Sequence, residues 1–91
     1  MVKKVEIGGH TFTVKHREMD DLCGKVERPE LTIYIDNTKP ESIQQETLLH
    51  EILHCIKWLA GTERKDDEKD ERDVQAESHL LFQVLKSNKL W

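Results

Sequence analysis

The chain has few of the features that mark secreted, membrane-spanning or nucleic-acid-binding proteins. Its two cysteines, Cys23 and Cys55, form no C-x-x-C pair, which favours reduced thiols. No apolar run approaches the roughly 20 residues that cross a bilayer, and the first residues lack the apolar core of a signal peptide. The net charge of −4 argues against a nucleic-acid partner. We therefore expect a cytoplasmic protein with no membrane and no nucleic-acid partner.

The length of the chain indicates one small domain covering residues 1–91. A chain of this size buries only about two-thirds of its surface on folding. Its hydrophobic core is therefore thin, and a bound metal ion would add useful stability. The composition, with 36% hydrophobic and 35% charged residues, is still compatible with a folded domain.

The first third of the chain has the pattern of β-strands. Segments 2–7 and 11–15 are rich in β-formers and flank Gly8-Gly9, which predicts a hairpin. Segment 31–35 alternates large apolar side chains with a threonine and is the clearest strand. Segment 22–27 is a candidate for one more. We therefore predict three or four strands in this part of the chain.

Two helices are predicted to follow the strands. Ser42 and Gln45 fit an S-x-x-Q capping box at the start of a helix that Gly61 would end. After the charged segment 62–73, the spacing of apolar residues over 74–86 is again helical. Strands followed by helices predict an α+β fold with the two helices packed on a small antiparallel sheet.

The most specific pattern is His50-Glu51-Ile52-Leu53-His54, which reads H-E-x-x-H. Two histidines four residues apart lie on one face of a helix and can bind one metal ion, while Glu51 can reach a water on that ion. The neighbouring residues are aliphatic. Burying these polar side chains without partners would cost several kcal/mol. The pattern therefore predicts a Zn²⁺ site with Glu51 as the catalytic base.

A third zinc ligand is needed, because a catalytic zinc ion usually has three protein ligands and one water. We expect it from the second helix, whose candidates are Glu68, Glu71, Glu77 and His79. A helical projection places Glu71 and Glu77 near the apolar stripe, and His79 on the far side as a solvated residue. Geometry alone leaves both Glu71 and Glu77 open.

Four segments carry a further likeness: I-G-G-x-x-F-x-V at 7–14, T-L-L-H-E-I-L-H at 47–54, E-x-x-V at 71–74 and S-x-x-L-F-Q-V-L-K-x-N at 78–88. Together they resemble very small phage- and prophage-encoded zincin metallopeptidases, which look like reduced relatives of ImmA/IrrE-type and SprT-like peptidases. The resemblance implies a minimal zincin-like fold. It also implies that Glu71, which opens the E-x-x-V element, is the third ligand.

The motif and the resemblance together predict a zinc-dependent metalloendopeptidase acting on a protein or peptide substrate. His50, His54 and Glu71 would bind the metal, and Glu51 would act as general base on the zinc-bound water. The substrate is expected to lie extended along a strand edge, for which segment 31–35 is the candidate. Tyr34 and His10 are candidate oxyanion donors, although a half-buried strand tyrosine and a turn histidine explain them more simply.

Two other interpretations stay open. In the first, zinc is structural in a catalytically idle phage or prophage accessory protein that acts by protein–protein interaction. A structural site, however, normally has four protein ligands and is often rich in cysteine. In the second, the chain is a plain interaction module with its second helix as the docking surface. The sequence leaves the substrate and the oligomeric state undetermined.

Overall fold

The computed structural model describes residues 2–91, and within them it contains four strands and two helices. These are β1 (Lys4–Ile7), β2 (His10–Arg17), β3 (Gly24–Glu27), β4 (Thr32–Asp36), α1 (Glu41–Ala60) and α2 (Asp67–Ser87). The predicted α+β class, with a small sheet followed by two packed helices, is confirmed. None of the helices described is long and apolar enough to cross a membrane.

The predicted hairpin is formed by β1 and β2, which pair antiparallel with Ile7 opposite His10. Gly8 and Gly9 make the turn with φ angles of 58° and 81°. Two successive residues in the left-handed region suit a tight hairpin, and glycine adopts that region without steric cost.

The sheet is mixed, and the prediction of a wholly antiparallel sheet is wrong in this respect. Its strand order is β1-β2-β4-β3. β2 and β4 run parallel, whereas β3 and β4 run antiparallel. After β2 the chain forms β3 at the edge of the sheet, one strand position away from β2. β4 then fills the position between β2 and β3. Segment 31–35 is therefore interior to the sheet, and β3 is the edge strand.

One face of the sheet carries the hydrophobic core. Side chains alternate between the two faces of a strand, so alternate residues of β2 and β4 point to α1. The buried residues of this core are Phe12, Val14, Ile33, Ile35, Leu48 and Cys55. Helix α1 contacts β1, β3 and β4, whereas α2 packs on α1 and contacts none of the four strands. As a result, α1 lies between the sheet and α2, and the prediction that both helices pack on the sheet is wrong for α2.

Gly24 allows the edge strand to lie close to α1. A Cβ atom at this position would be 2.6 Å from Cγ2 of Thr47 and 2.8 Å from the backbone oxygen of Tyr34. Both distances are too short for a real side chain. The missing side chain of Gly24 therefore brings the start of β3 against α1 one turn before His50.

Helix α1 begins without the predicted capping box. Pro40 is the residue that precedes the helix, and no side-chain hydrogen bond caps it. Ser42 already lies within the first turn, so its hydroxyl is not at the capping position and the prediction is wrong. The predicted end is confirmed, because Gly61 adopts a left-handed conformation with φ of 71°.

Helix α2 begins at Asp67, seven residues before the start of the helical apolar pattern at Val74. The side chain of Asp66 accepts hydrogen bonds from the backbone N–H groups of Glu68 and Lys69 and caps the helix. Much of the charged segment is therefore helical. Its buried positions are Asp70, Val74 and Ser78, four residues apart in each step.

Candidate metal centre

His50 and His54 lie one turn apart on the same face of α1, as their spacing predicts. Their ring centroids are 4.9 Å apart, and the planes of the rings meet at 69°. Both side chains are largely buried, and the Nε2 atom of each ring faces a residue of α2. The helix thus presents two imidazole nitrogens in the same direction.

Glu71 of α2 approaches both imidazole rings at once. Its Oε1 atom lies 2.6 Å from Nε2 of His50, and its Oε2 atom lies 2.8 Å from Nε2 of His54. Each of these three residues offers one ligand atom within 4.8 Å of the other two, so the group could hold a metal ion. The structure therefore brings together the three residues that were predicted as metal ligands.

The other candidates for the third ligand, Glu68, Glu77 and His79, are exposed and do not belong to the group that could hold a metal ion. Glu77 is exposed, with Oε1 3.9 Å from Nζ of Lys57. His79 has a side chain that is 70% exposed and contacts Oε1 of Glu46 at 2.8 Å. It is therefore a surface histidine, as predicted. Of the two residues that the helical projection left open, Glu71 is the one that reaches the histidines.

Glu51, the predicted catalytic base, is only 7% exposed. Burial, and secondarily the negative charge of Glu71, raise the pKa of its carboxyl group to about 7. A cation nearby would oppose both effects, because it favours the ionised carboxylate. Burial also lowers the pKa of His50, although the charge of Glu71 acts in the opposite direction. A lowered pKa favours the neutral imidazole, which is the form that binds metals.

Asp70 is a residue of the site that sequence reasoning missed. It is 5% exposed, and its Oδ1 atom accepts a hydrogen bond of 3.0 Å from the backbone N–H of Arg64. Its Oδ2 atom lies 3.7 Å from Nδ1 of His54. The available signal was its position four residues before Val74, which puts a carboxylate on the buried stripe of the helix.

The three side chains open into a groove with a volume of about 770 Å³. Residues from β3, α1 and α2 line it, among them Gly24, Thr47 and Gln75. Glu51 also lines this groove. The strand bordering the site is therefore β3 and not segment 31–35, which corrects the prediction for the substrate edge.

Neither candidate oxyanion donor lines the groove. The guanidinium carbon of Arg17 lies 4.2 Å from the ring centroid of Tyr34, on a strand whose neighbours are β2 and β3. His10 is an exposed residue at the start of β2. The simpler interpretation of both residues, as a strand tyrosine and a turn histidine, fits these positions.

No protein-family model matches the chain, and neither a curated protein nor a solved structure matches it. The resemblance to small zincin peptidases therefore stays a prediction. What the chain itself provides is a group of two imidazoles and one carboxylate at the wall of an open groove, with a buried glutamate beside it.

Proposed function

We propose that this protein is a zinc-dependent metallopeptidase that hydrolyses peptide bonds in a protein substrate. His50, His54 and Glu71 would hold the metal, and Glu51 would be the general base. The observation that carries the proposal is that the carboxylate of Glu71 contacts both imidazoles from a different helix. Two histidines and one glutamate form a ligand set of catalytic zinc sites, which keep one position open.

The charges around the site support a divalent cation. Glu51 and Asp70 are buried, and Glu71 lies beside them against two imidazoles. Burying negative charge without compensation is unfavourable, and the raised pKa of Glu51 reflects that cost. A divalent ion would compensate for the charge, and a mixed nitrogen and oxygen ligand set suits zinc.

The chemistry of peptide hydrolysis can be assigned to residues of this chain. When bound, zinc supplies the Lewis acidity that activates a water and polarises the peptide carbonyl. Glu51 accepts the proton of the attacking water and passes it to the leaving amine as the C–N bond breaks. Without a metal, burial raises the pKa of this carboxyl group to about 7, and a bound cation would favour the ionised form that can accept the proton.

The substrate is proposed to lie extended along β3. This strand is at the edge of the sheet, and its residues line the groove. An edge strand offers unpaired backbone groups with which an extended peptide can form hydrogen bonds. Leu22 and Ile43 are exposed apolar residues that also line the groove.

The test compares the zinc-loaded protein with its Glu51→Gln variant on an unstructured protein substrate. We expect zinc affinity to stay within about threefold and hydrolysis to fall by at least about 1,000-fold, because the variant keeps the ligands and loses the base. Glu77→Gln, which changes an exposed glutamate of α2, is the matched control and should keep its activity. Hydrolysis that survives in Glu51→Gln would show that Glu51 is not the base.

A second candidate function keeps the metal but not the reaction. The C-terminal part of the chain exposes several apolar residues, including Leu80, which is 61% exposed, and Leu90, which is 67% exposed. Exposed apolar surface is typical of protein–protein contacts, so a catalytically idle zinc-binding accessory protein is the alternative. Tight zinc binding without hydrolysis of any unstructured substrate would favour it.

We also propose a cytoplasmic location. Cys23 is exposed, Cys55 is buried, and both are free thiols. An exposed free thiol is kept reduced in the cytoplasm, whereas oxidising compartments favour disulfides. Fractionation of cells that produce the tagged protein, with thiol labelling of Cys23, tests this location.

A further inference from the structure

The buried carboxylate of Asp70 has no role in the mechanism proposed above. Only 5% of the residue is exposed. A carboxylate in such a position needs hydrogen-bond donors, because its charge is otherwise costly to bury. One oxygen, Oδ1, receives the backbone N–H of Arg64 at 3.0 Å. The other oxygen, Oδ2, faces Nδ1 of His54 at 3.7 Å.

The two nitrogens of the His54 ring therefore face two different carboxylates. Nε2 lies 2.8 Å from Oε2 of Glu71, inside the metal-binding group. Nδ1 lies 3.7 Å from Oδ2 of Asp70, a residue outside that group, which is slightly longer than a hydrogen bond. A neutral imidazole that binds a metal through one nitrogen carries its hydrogen on the other, and that hydrogen is usually donated to a carboxylate or a carbonyl.

We propose that Asp70 is a positioning residue: when the metal binds, Oδ2 closes the 3.7 Å separation, accepts the Nδ1–H of His54 and so presents Nε2 of this ring to zinc. The inference rests on the proposed metal site. Because the rings of His50 and His54 pack edge to face, with their centroids 4.9 Å apart, fixing His54 also limits the movement of His50. A single buried carboxylate would thus orient both imidazoles.

The chain offers a matched control in Asp73. Asp70 accepts a hydrogen bond from the backbone N–H of Arg64. Asp73 forms an ion pair with the side chain of Arg64, in which Oδ2 lies 2.8 Å from Nε. Both aspartates therefore attach the segment between the helices to α2. Only Asp70 also faces a histidine of the site. A purely structural role would be shared by the two residues, whereas a positioning role belongs to Asp70 alone.

The experiment measures zinc affinity by competition with a chromophoric chelator, together with the thermal stability of the metal-free protein. We expect Asp70→Asn to weaken zinc binding about 10- to 100-fold, the range found for groups that orient metal-binding histidines. Asp73→Asn should bind zinc within about twofold of the wild-type affinity. Both variants should lower the melting temperature of the metal-free protein.

A second measurement needs no variant and covers the case in which Asp70→Asn fails to fold. In zinc-loaded wild-type protein labelled with ¹⁵N, NMR should show Nδ1 of His54 carrying a slowly exchanging hydrogen in a hydrogen bond. In a folded Asp70→Asn variant, this signal should shift or exchange faster. A His54 ring in wild-type protein whose Nδ1–H exchanges freely with solvent would overturn the proposal.

The outcomes separate this inference from the proposed function. If wild-type protein binds no zinc, the metal site and the role of Asp70 fail together. If wild type and Asp70→Asn bind zinc equally tightly, only the role of Asp70 is overturned. In that case Asp70 merely attaches Arg64 to α2.

Discussion

Oε1 of Glu71 lies 2.6 Å from Nε2 of His50, although the two side chains come from different helices. Their approach depends on how the chain turns between these helices. Gly61 ends α1 in a left-handed conformation, and Asp66 caps the start of α2. The ligand set is therefore assembled by two helix ends as well as by the H-E-x-x-H spacing.

The first prediction concerns the third ligand. Glu71→Gln should weaken zinc binding by at least about 100-fold, because a metal ligand contributes more than the groups that orient it. Glu77→Gln should leave the affinity within about twofold, because that side chain is exposed and lies near Lys57. Isothermal titration of both variants measures the difference. A larger loss in Glu77→Gln would contradict the geometry described here.

The second prediction concerns the start of α2. Asp66→Ala should reduce the free energy of unfolding by about 1 kcal/mol, because it removes the acceptor for two backbone N–H groups. It should also weaken zinc binding, since Glu71 lies in the second turn of the same helix. Urea unfolding of the metal-free protein and chelator competition measure the two effects.

Ser42→Ala is the control for this prediction. Ser42 fits a capping box in sequence, but no side-chain hydrogen bond caps α1. The substitution should therefore change the free energy of unfolding by less than about 0.5 kcal/mol. A loss as large as that of Asp66→Ala would show that the serine does cap the helix in solution.

Two local parts of this fold follow from the sequence, although the capping box at Ser42, which is also local, does not form. The histidine pair depends only on the period of one helix, and the turn at Gly8-Gly9 depends only on two adjacent residues that tolerate positive φ. Both predictions are confirmed because no distant part of the chain decides them.

The parts that depend on distant segments do not follow from the sequence. β4 lies between β2 and β3 in the sheet. The residue pattern within a strand does not indicate which other strands it pairs with. Asp70 was missed because acidic residues in a charged segment are mostly solvated, and its spacing of four residues from Val74 is informative only if that segment is known to be helical. Geometry alone also left Glu71 and Glu77 open, because the choice depends on how α2 sits against α1.

The third prediction concerns the close contact of β3 with α1. Gly24→Ala should lower the free energy of unfolding by about 1–3 kcal/mol, because its Cβ would be 2.6 Å from Cγ2 of Thr47. Adding Thr47→Ala should recover part of this loss. The recovery should be incomplete, since the oxygen of Tyr34 would still be 2.8 Å from the new atom.

Gly9→Ala is the matched control for Gly24. A Cβ atom at Gly9 would meet nothing within 4 Å, so its cost comes from the φ of 81° alone. Thr47→Ala should not change that cost. A double-mutant cycle by urea unfolding measures the coupling in each pair, and zero coupling between positions 24 and 47 would mean that β3 and α1 do not meet as described.

The fourth prediction concerns the pH dependence of the metal-free protein. Burial, and then the charge of Glu71, raise the pKa of Glu51 from 4.5 to about 7. The folded state therefore binds this proton more tightly than the unfolded state. The stability that this proton provides is fully present below pH 4.5, and it is lost as the pH rises through about 7.

Glu51→Gln removes this titration, so between about pH 4.5 and 7 the metal-free wild-type protein should lose stability relative to the variant. The full difference is on the order of 3 kcal/mol. Burial also lowers the pKa of His50, which costs stability at lower pH, but that effect is common to both proteins. Urea unfolding with a chelator at pH 5, 6, 7 and 8 measures the difference. If the free energies of unfolding of the two proteins changed with pH in parallel, Glu51 would be solvated. Added zinc should reduce the difference in stability between them, because a cation favours the ionised carboxylate.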